Sequence, residues 1–136
     1  MTGFAWPTRV YWEDTDGGGV VYYANYLKFL ERARTEWLRS QGFVQSQLMA
    51  DPGVIFVVTN INIEYRRPAR LDDSLLVTCE LIPEGAASMS FAQQILRDEE
   101  VLIEGTVRVA CLDAQSFRPK RLPSALVNAF AVKEPA

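Results

Sequence analysis

Histidine is absent from all 136 residues. That absence excludes Ser-His-Asp and Cys-His nucleophilic machinery and the common imidazole-ligated metal sites. Acid–base work must therefore fall to carboxylates, tyrosines, lysines, backbone groups or water. Cysteine is scarce. Cys79 and Cys111 lie in strand-like segments without metal-ligand spacing, and read as buried free thiols of a reducing compartment rather than a disulfide. No apolar run approaches the roughly 20 residues of a membrane span. The N-terminus lacks the basic start and apolar core of a secretory signal. Positive charge is also short: 14 Lys and Arg face 17 Asp and Glu, a net charge of −3, with a pI of about 5.0. A dedicated nucleic-acid binder would carry a basic footprint instead. What is present is a 49% hydrophobic chain, long enough for one domain with a real core, taken as residues 1–136.

Along the chain, β-formers from Arg9 to Glu13 predict a first strand. From about Tyr23 to Gln41 the period becomes helical. Tyr26, Leu30, Ala33 and Trp37 form one apolar stripe, and Gly42 suits a C-cap. The remainder reads as strands: Val54 to Glu64, Ser74 to Ile82, Ala87 to Arg97 and Val101 to Leu112, with Gly105 a candidate bulge. On the last strand Val101, Ile103, Val107, Val109 and Cys111 share a face. Ser124 to Val132 predicts a short final helix. Short turns between consecutive strands favour antiparallel pairing. One sheet with one long helix packed on it is the economical α+β arrangement. Open sheet edges are hazardous, and pairing two protomers edge to edge removes the hazard.

The segment with most chemistry runs Glu13-Asp14-Thr15-Asp16-Gly17-Gly18-Gly19-Val20-Val21-Tyr22-Tyr23-Ala24-Asn25-Tyr26. Its glycines allow backbone N–H groups to approach a ligand closely. The helix beginning just beyond them offers unpaired N–H groups and the positive end of its dipole. A carboxylate beside such an oxyanion-binding backbone suits acyl transfer or hydrolysis. Each residue also has a plainer reading. Asp16 before Gly17 is a common turn signal. Asp14 reads as a loop cap or turn carboxylate, and Asn25 as an early helix residue bonding backbone or a group orienting water or substrate. The glycine loop reads as a connector or as a close wall of an acyl site; no Lys-Ser/Thr follows it, which disfavours a triphosphate loop. Arg66, Arg67 and Arg70 form one basic cluster, and Arg118, Lys120 and Arg121 another. Arginine suits phosphate, although such clusters are often only solvated faces.

The run from Arg9 to Arg39, centred on Asp14-Thr15-Asp16 and Asn25-Tyr26, closely resembles the hotdog-fold acyl-CoA thioesterases. It is most similar to the branch associated with the bacterial Tol–Pal envelope system, with a more distant similarity to 4-hydroxybenzoyl-CoA thioesterase. The resemblance continues through Phe56-Val57-Val58, Ile63-Glu64-Tyr65, Pro68 to Asp73 and Arg118 to Pro123, nearly the whole chain.

It implies an antiparallel sheet wrapped around one long central helix, and dimers or dimers of dimers with active sites at the dimer interface. It also implies hydrolysis of acyl-CoA, or of acyl carrier protein thioesters, in the cytoplasm or peripheral at the inner membrane. No cofactor or metal is implied beyond the coenzyme A of the substrate. Asp16 takes the place of the family's general base or nucleophile, with Tyr23 as its polar partner and the nearby backbone N–H groups on the thioester carbonyl. Gly19, Asn25, Arg66 and Arg67 are the substrate-binding candidates. The chain departs from the branch pattern at three positions: Tyr23 stands where histidine is usual, Trp12 where tyrosine is frequent and Gly17 where alanine is common. A tyrosine donates a hydrogen bond but does not shuttle protons near neutral pH. The missing histidine leaves room for a non-catalytic acyl-binding or scaffold protein of the envelope system. It disfavours a hotdog dehydratase, which relies on histidine.

Overall fold

Five strands and one long helix account for most of residues 3–133, which a computed structural model of the chain describes, with side chains through Asn128. Residues 1, 2 and 134–136 of the expected domain lie outside the described residues. In chain order the elements are β1 (Phe4–Arg9), α1 (Tyr26–Ser40), α2 (Gln45–Ala50), β2 (Val54–Tyr65), β3 (Ser74–Pro83), β4 (Ser88–Arg97), β5 (Glu100–Asp113) and α3 (Ser124–Lys133). The strands form one antiparallel sheet in the order β1-β3-β4-β5-β2. The α1 helix lies against β1, β3 and β4. This is the expected α+β hotdog arrangement.

Packing follows the apolar periods. Tyr26, Phe29, Leu30, Ala33, Trp37 and Leu38 of α1 are buried, facing Val77, Phe91, Ile95 and Ile103 of the sheet in two adjoining clusters. At the helix end, Gly42 takes φ +94°. The Gly42 N–H bonds the Arg39 carbonyl and the Phe43 N–H bonds the Leu38 carbonyl, each at 3.0 Å. That double closure needs a left-handed residue, which glycine supplies without strain.

Three expectations are corrected. The first strand is Phe4–Arg9, not Arg9–Glu13: Trp12–Asp14 form a 3₁₀ turn because the Asp14 Oδ2 accepts the Tyr11 N–H at 2.9 Å, turning the chain out of the sheet. Pro7 sits within β1, which is an edge strand, where a missing N–H is tolerated. The long helix begins at Tyr26, preceded by a 3₁₀ turn over Tyr23–Asn25. Gly105 is not a bulge. It pairs regularly with Ile63 and Gln93, and a Cβ there would collide with the Asn62 carbonyl oxygen. The extra residue of β5 is Leu102, since Ile95 pairs Ile103 while Leu96 pairs Val101. That slip turns Val101 off the buried face and buries Leu102 instead.

Both cysteines are free and buried. Burial pushes the Cys79 thiol up to about 12, against a smaller opposing pull from the Arg34 charge, and burial also raises Cys111. A thiol held protonated by the fold leaves stability intact while the unfolded thiol is protonated too, below about 8.5, and lowers it as the unfolded thiol ionises above that value. Folding stability should therefore decline as pH rises from about 9 towards 12, read as a falling urea midpoint; a Cys79→Ala chain should show a smaller alkaline decline. Gly105→Ala should lower stability by about 1–3 kcal/mol through overpacking against β2, measured by urea unfolding; an unchanged midpoint would contradict the close approach.

Candidate active site

Between the 3₁₀ turn at Trp12–Asp14 and the start of α1, the chain makes a small hairpin whose tip is the glycine run. Thr15 bridges Val21, and the Asp16 N–H bonds the Val20 carbonyl at 3.0 Å. Gly17 and Gly19 hold φ of +88° and +90°, a region costly for other residues. The hairpin is fastened to the segment after Pro68. The Val21 N–H bonds the Ala69 carbonyl at 2.9 Å, Val20 bridges Arg70, and the Leu71 N–H bonds the Gly19 carbonyl at 3.0 Å.

The helix is tied to the same point, because the Ala69 N–H donates to the Tyr26 hydroxyl at 2.9 Å. Burial holds that hydroxyl above the ordinary tyrosine range, so it stays a neutral phenol. A second tie uses the Asp14 carbonyl, which accepts the Tyr22 N–H at 3.0 Å and the Asn25 Nδ2 at 2.9 Å.

Asp16 stands exposed at the hairpin tip. Its Oδ1 accepts the Gly18 N–H at 2.7 Å, fixing the carboxylate by a local Asx turn, while Oδ2 has no hydrogen bond among the described residues. Asp14, by contrast, is buried and spends its carboxylate on the Tyr11 N–H, so it is a structural cap. Tyr23 lies in the turn that leads into α1 and is 62% exposed as a residue. Its ring centroid is 4.9 Å from that of Tyr22 and 6.4 Å from that of Tyr65. The neighbouring Tyr23 phenol raises Tyr22 above its ordinary value. The Tyr65 hydroxyl donates to the Tyr23 carbonyl at 3.2 Å. The N–H groups of Tyr23 and Ala24 have no acceptor among the described residues, which is the ordinary state of a helix entrance.

The structure thus brings Asp16, Gly19, Tyr23 and Asn25 into one stretch of connected backbone. Asn25 bonds backbone, the plainer of its two readings. Arg66 and Arg67 follow β2 and are engaged. Arg66 meets Glu64 and Glu104 at 3.1 Å each, and Arg67 meets Glu100 at 2.7 Å. Arg70, beside the hairpin, has no ion pair among the described residues. A pocket of ≈ 230 Å³ lies farther along α1, between Arg34 and the β2 side of the sheet, and none of the candidate residues lines it. Sequence reasoning missed Ala69 and the hydroxyl of Tyr26. The available signal was that a buried tyrosine hydroxyl normally finds a partner; nothing local names which one.

A five-stranded antiparallel sheet around one helix, with a glycine hairpin leading into the helix entrance, defines a hotdog protein. The thioesterase-like superfamily model matches residues 10–130, and the chain belongs to that superfamily. It is 48% identical over 130 residues to the acyl-CoA thioester hydrolase YbgC of Escherichia coli O6:H1, covering 95% of this chain and 96% of that one. The acyl-CoA thioesterase YbgC of Haemophilus influenzae is 44% identical over 128 residues, 94% of each chain. Among solved structures, a probable thioesterase from Bartonella henselae superposes with a TM-score of 0.85 at 36% identity, covering 90% of this chain and all of that one.

If the Tyr26 hydroxyl is the joint between helix and hairpin, Tyr26→Phe leaves a buried N–H unpaired. It should cost about 1–3 kcal/mol of stability while Tyr22→Phe, altering an exposed ring, costs little. Urea unfolding of both variants measures this, and equal midpoints would contradict the assignment.

Proposed function

We propose that the protein hydrolyses acyl-CoA thioesters to free acid and thiol, with Asp16 as the reacting carboxylate. The observation that carries this is that a half-free carboxylate and the unpaired N–H groups of Tyr23 and Ala24 lie on one hydrogen-bonded hairpin-to-helix segment. Seated there, a thioester carbonyl oxygen would receive those N–H groups, which stabilise the charge that develops on it.

Two routes use the same atoms. In the first, Asp16 removes a proton from water as the water oxygen bonds to the carbonyl carbon. The carbon–sulfur bond then breaks, and the thiolate leaves and regains a proton. In the second, an Asp16 oxygen itself bonds to the carbonyl carbon and expels the thiolate. Water then hydrolyses the mixed anhydride and restores the carboxylate. Neither route needs imidazole or a metal. Tyr23 supplies backbone N–H, and its exposed side chain lies beside Tyr22. Gly19 lets the hairpin wall approach the acyl group closely.

The coenzyme's phosphates would meet the arginines that follow β2. Arg66 and Arg67 would exchange exposed ion pairs, which contribute little to stability, and Arg70 needs no exchange. Acyl carrier protein is the alternative carrier. A soluble site in the cytoplasm, or at the inner face of the envelope where a Tol–Pal system works, is the proposed location; among the described residues no helix is long and apolar enough to cross a membrane.

Asp16 is exposed on a single chain, so a second wall is needed to exclude water. We assign that wall to a homo-oligomer, a dimer or dimer of dimers. β2 bonds only β5, leaving its other edge open, and Val57, Val58, Ile61 and Tyr65 along it are exposed. The same exposure supports the second reading, a non-catalytic acyl-binding or scaffold protein.

A thiol-release assay across short, aromatic and long acyl-CoA thioesters separates the two. The enzyme reading expects turnover of at least one class, and a loss of about 10²–10⁴-fold in kcat/KM for Asp16→Asn with the oligomer intact. No turnover of any thioester would favour the scaffold. Single turnover in ¹⁸O-water assigns the route. Direct attack followed by water at the Asp16 carbonyl carbon leaves the first product's new oxygen unlabelled, since it comes from Asp16.

A further inference from the structure

Arg34 is nine-tenths buried on α1, yet its hydrogen-bond partner is neutral: Nη1 donates to the Gln93 Oε1 at 3.1 Å. Gln93 has no freedom to do otherwise, because its Nε2 donates to the carbonyls of Leu30 at 3.1 Å and Thr78 at 3.2 Å. No carboxylate lies within ion-pairing distance of Arg34 among the described residues. Burial lowers its proton affinity, with Cys79 and then Glu31 opposing that change. A buried cation is costly without a counter-charge. The missing group has a place to come from, since Arg34 lines the ≈ 230 Å³ pocket together with Glu31, Thr35, Phe56, Val58 and Phe91.

That pocket opens where the sheet is bare. The helix covers β1, β3 and β4. On the same face, Val58 and Ile61 of β2, opposite Val109 and Val107, remain 39% and 42% exposed. Two occupants are conceivable. A small carboxylate would satisfy Arg34, but Glu31 at the pocket wall would repel it. A second copy of the chain turns that obstacle into the solution. An acid and a base three positions apart on one helix face form a self-complementary pattern: a two-fold axis that lays a second α1 alongside in the opposite direction sets each acid against the other's base.

We infer that the occupant is a second copy of this chain, and that the partner's Glu31 enters the groove to neutralise Arg34, reciprocally across a two-fold axis. The inference rests on the homo-oligomer reading above, and names the contact that holds it.

Sedimentation equilibrium of wild type, Glu31→Arg, Arg34→Gln and the double variant tests it. Glu31 is exposed, so Glu31→Arg should fold. It should weaken the dimer roughly tenfold or more. Arg34→Gln should also weaken it, and Glu31→Arg should add no comparable loss in that background. Native mass spectrometry of a Glu31→Arg and Arg34→Glu mixture gives a second arm. Each chain alone places like charges together, whereas the mixture should form heterodimers, a rescue that an ion pair within one helix cannot produce. Glu31→Arg dimerising like wild type would overturn the inference while leaving the oligomer intact. If Glu31→Arg instead changes KM for particular acyl groups, the pocket holds substrate and the inference also fails. A monomeric wild type would overturn the homo-oligomer reading and this inference together, and thiol release would still report on hydrolysis.

Discussion

The peptide unit of Ala69 joins the two parts of the candidate site. Its carbonyl accepts from Val21 at the base of the glycine hairpin, and its N–H donates to the hydroxyl of Tyr26 in the first turn of α1. Ala69 is fully buried, where an unmade hydrogen bond costs the desolvation of the group left behind. The carboxylate of Asp16 and the free N–H groups near Tyr23 are therefore not separate loop features. They belong to one bonded frame, with Ala69 as its joint and the Asp14 carbonyl as a second tie through Tyr22 and Asn25. Preorganisation of this kind is what lets backbone dipoles stabilise developing charge without reorganising during the reaction.

The frame is rigid while its contents face outward. Asp16 and Tyr23 are exposed on one chain, and the pocket on α1 lies elsewhere. The same incompleteness recurs at Arg34, a buried cation facing a neutral amide, and at β2, a sheet edge with an apolar row beside it. The proposed homo-oligomer answers all three: a second copy set against the β2 side would supply a wall, a counter-charge and an edge partner.

Much of the fold was legible because its periods are clean. Tyr26, Leu30, Ala33 and Trp37 mark α1 through a 3.6-residue repeat, and β2 to β5 sit between recognisable turns. What escaped was decided by tertiary hydrogen bonds and close approaches. Arg9 to Glu13 has strand propensity, but the Asp14 carboxylate captures the Tyr11 N–H and ends the strand early. Gly105 resembled a bulge because strand glycines often are; its reason is the Asn62 carbonyl on the neighbouring strand. The short α2 carries one buried residue, Leu48, too little for a periodic signal. In the site, the residue pattern drew attention to Asp16 and the glycines, and Tyr23 came only through the family resemblance. The pattern did not reveal Ala69 as the joint, nor the pairing of Arg34 with Gln93 across 59 positions, because neither partner carries a local mark. Arg66 and Arg67 looked available as cations, and their carboxylate neighbours come from β2 and β5.

The central claim is geometric: one carboxylate and a helix-entrance backbone, held by a shared frame, act together on a thioester. A crystal structure with a non-hydrolysable acyl-CoA analogue tests it most directly. The account predicts the carbonyl oxygen, or its isostere, within about 3 Å of the Tyr23 or Ala24 N–H, and Asp16 within about 3.5 Å of the carbonyl carbon or of a water poised to attack it. An analogue seated in the same crystal with its carbonyl away from both groups would contradict it.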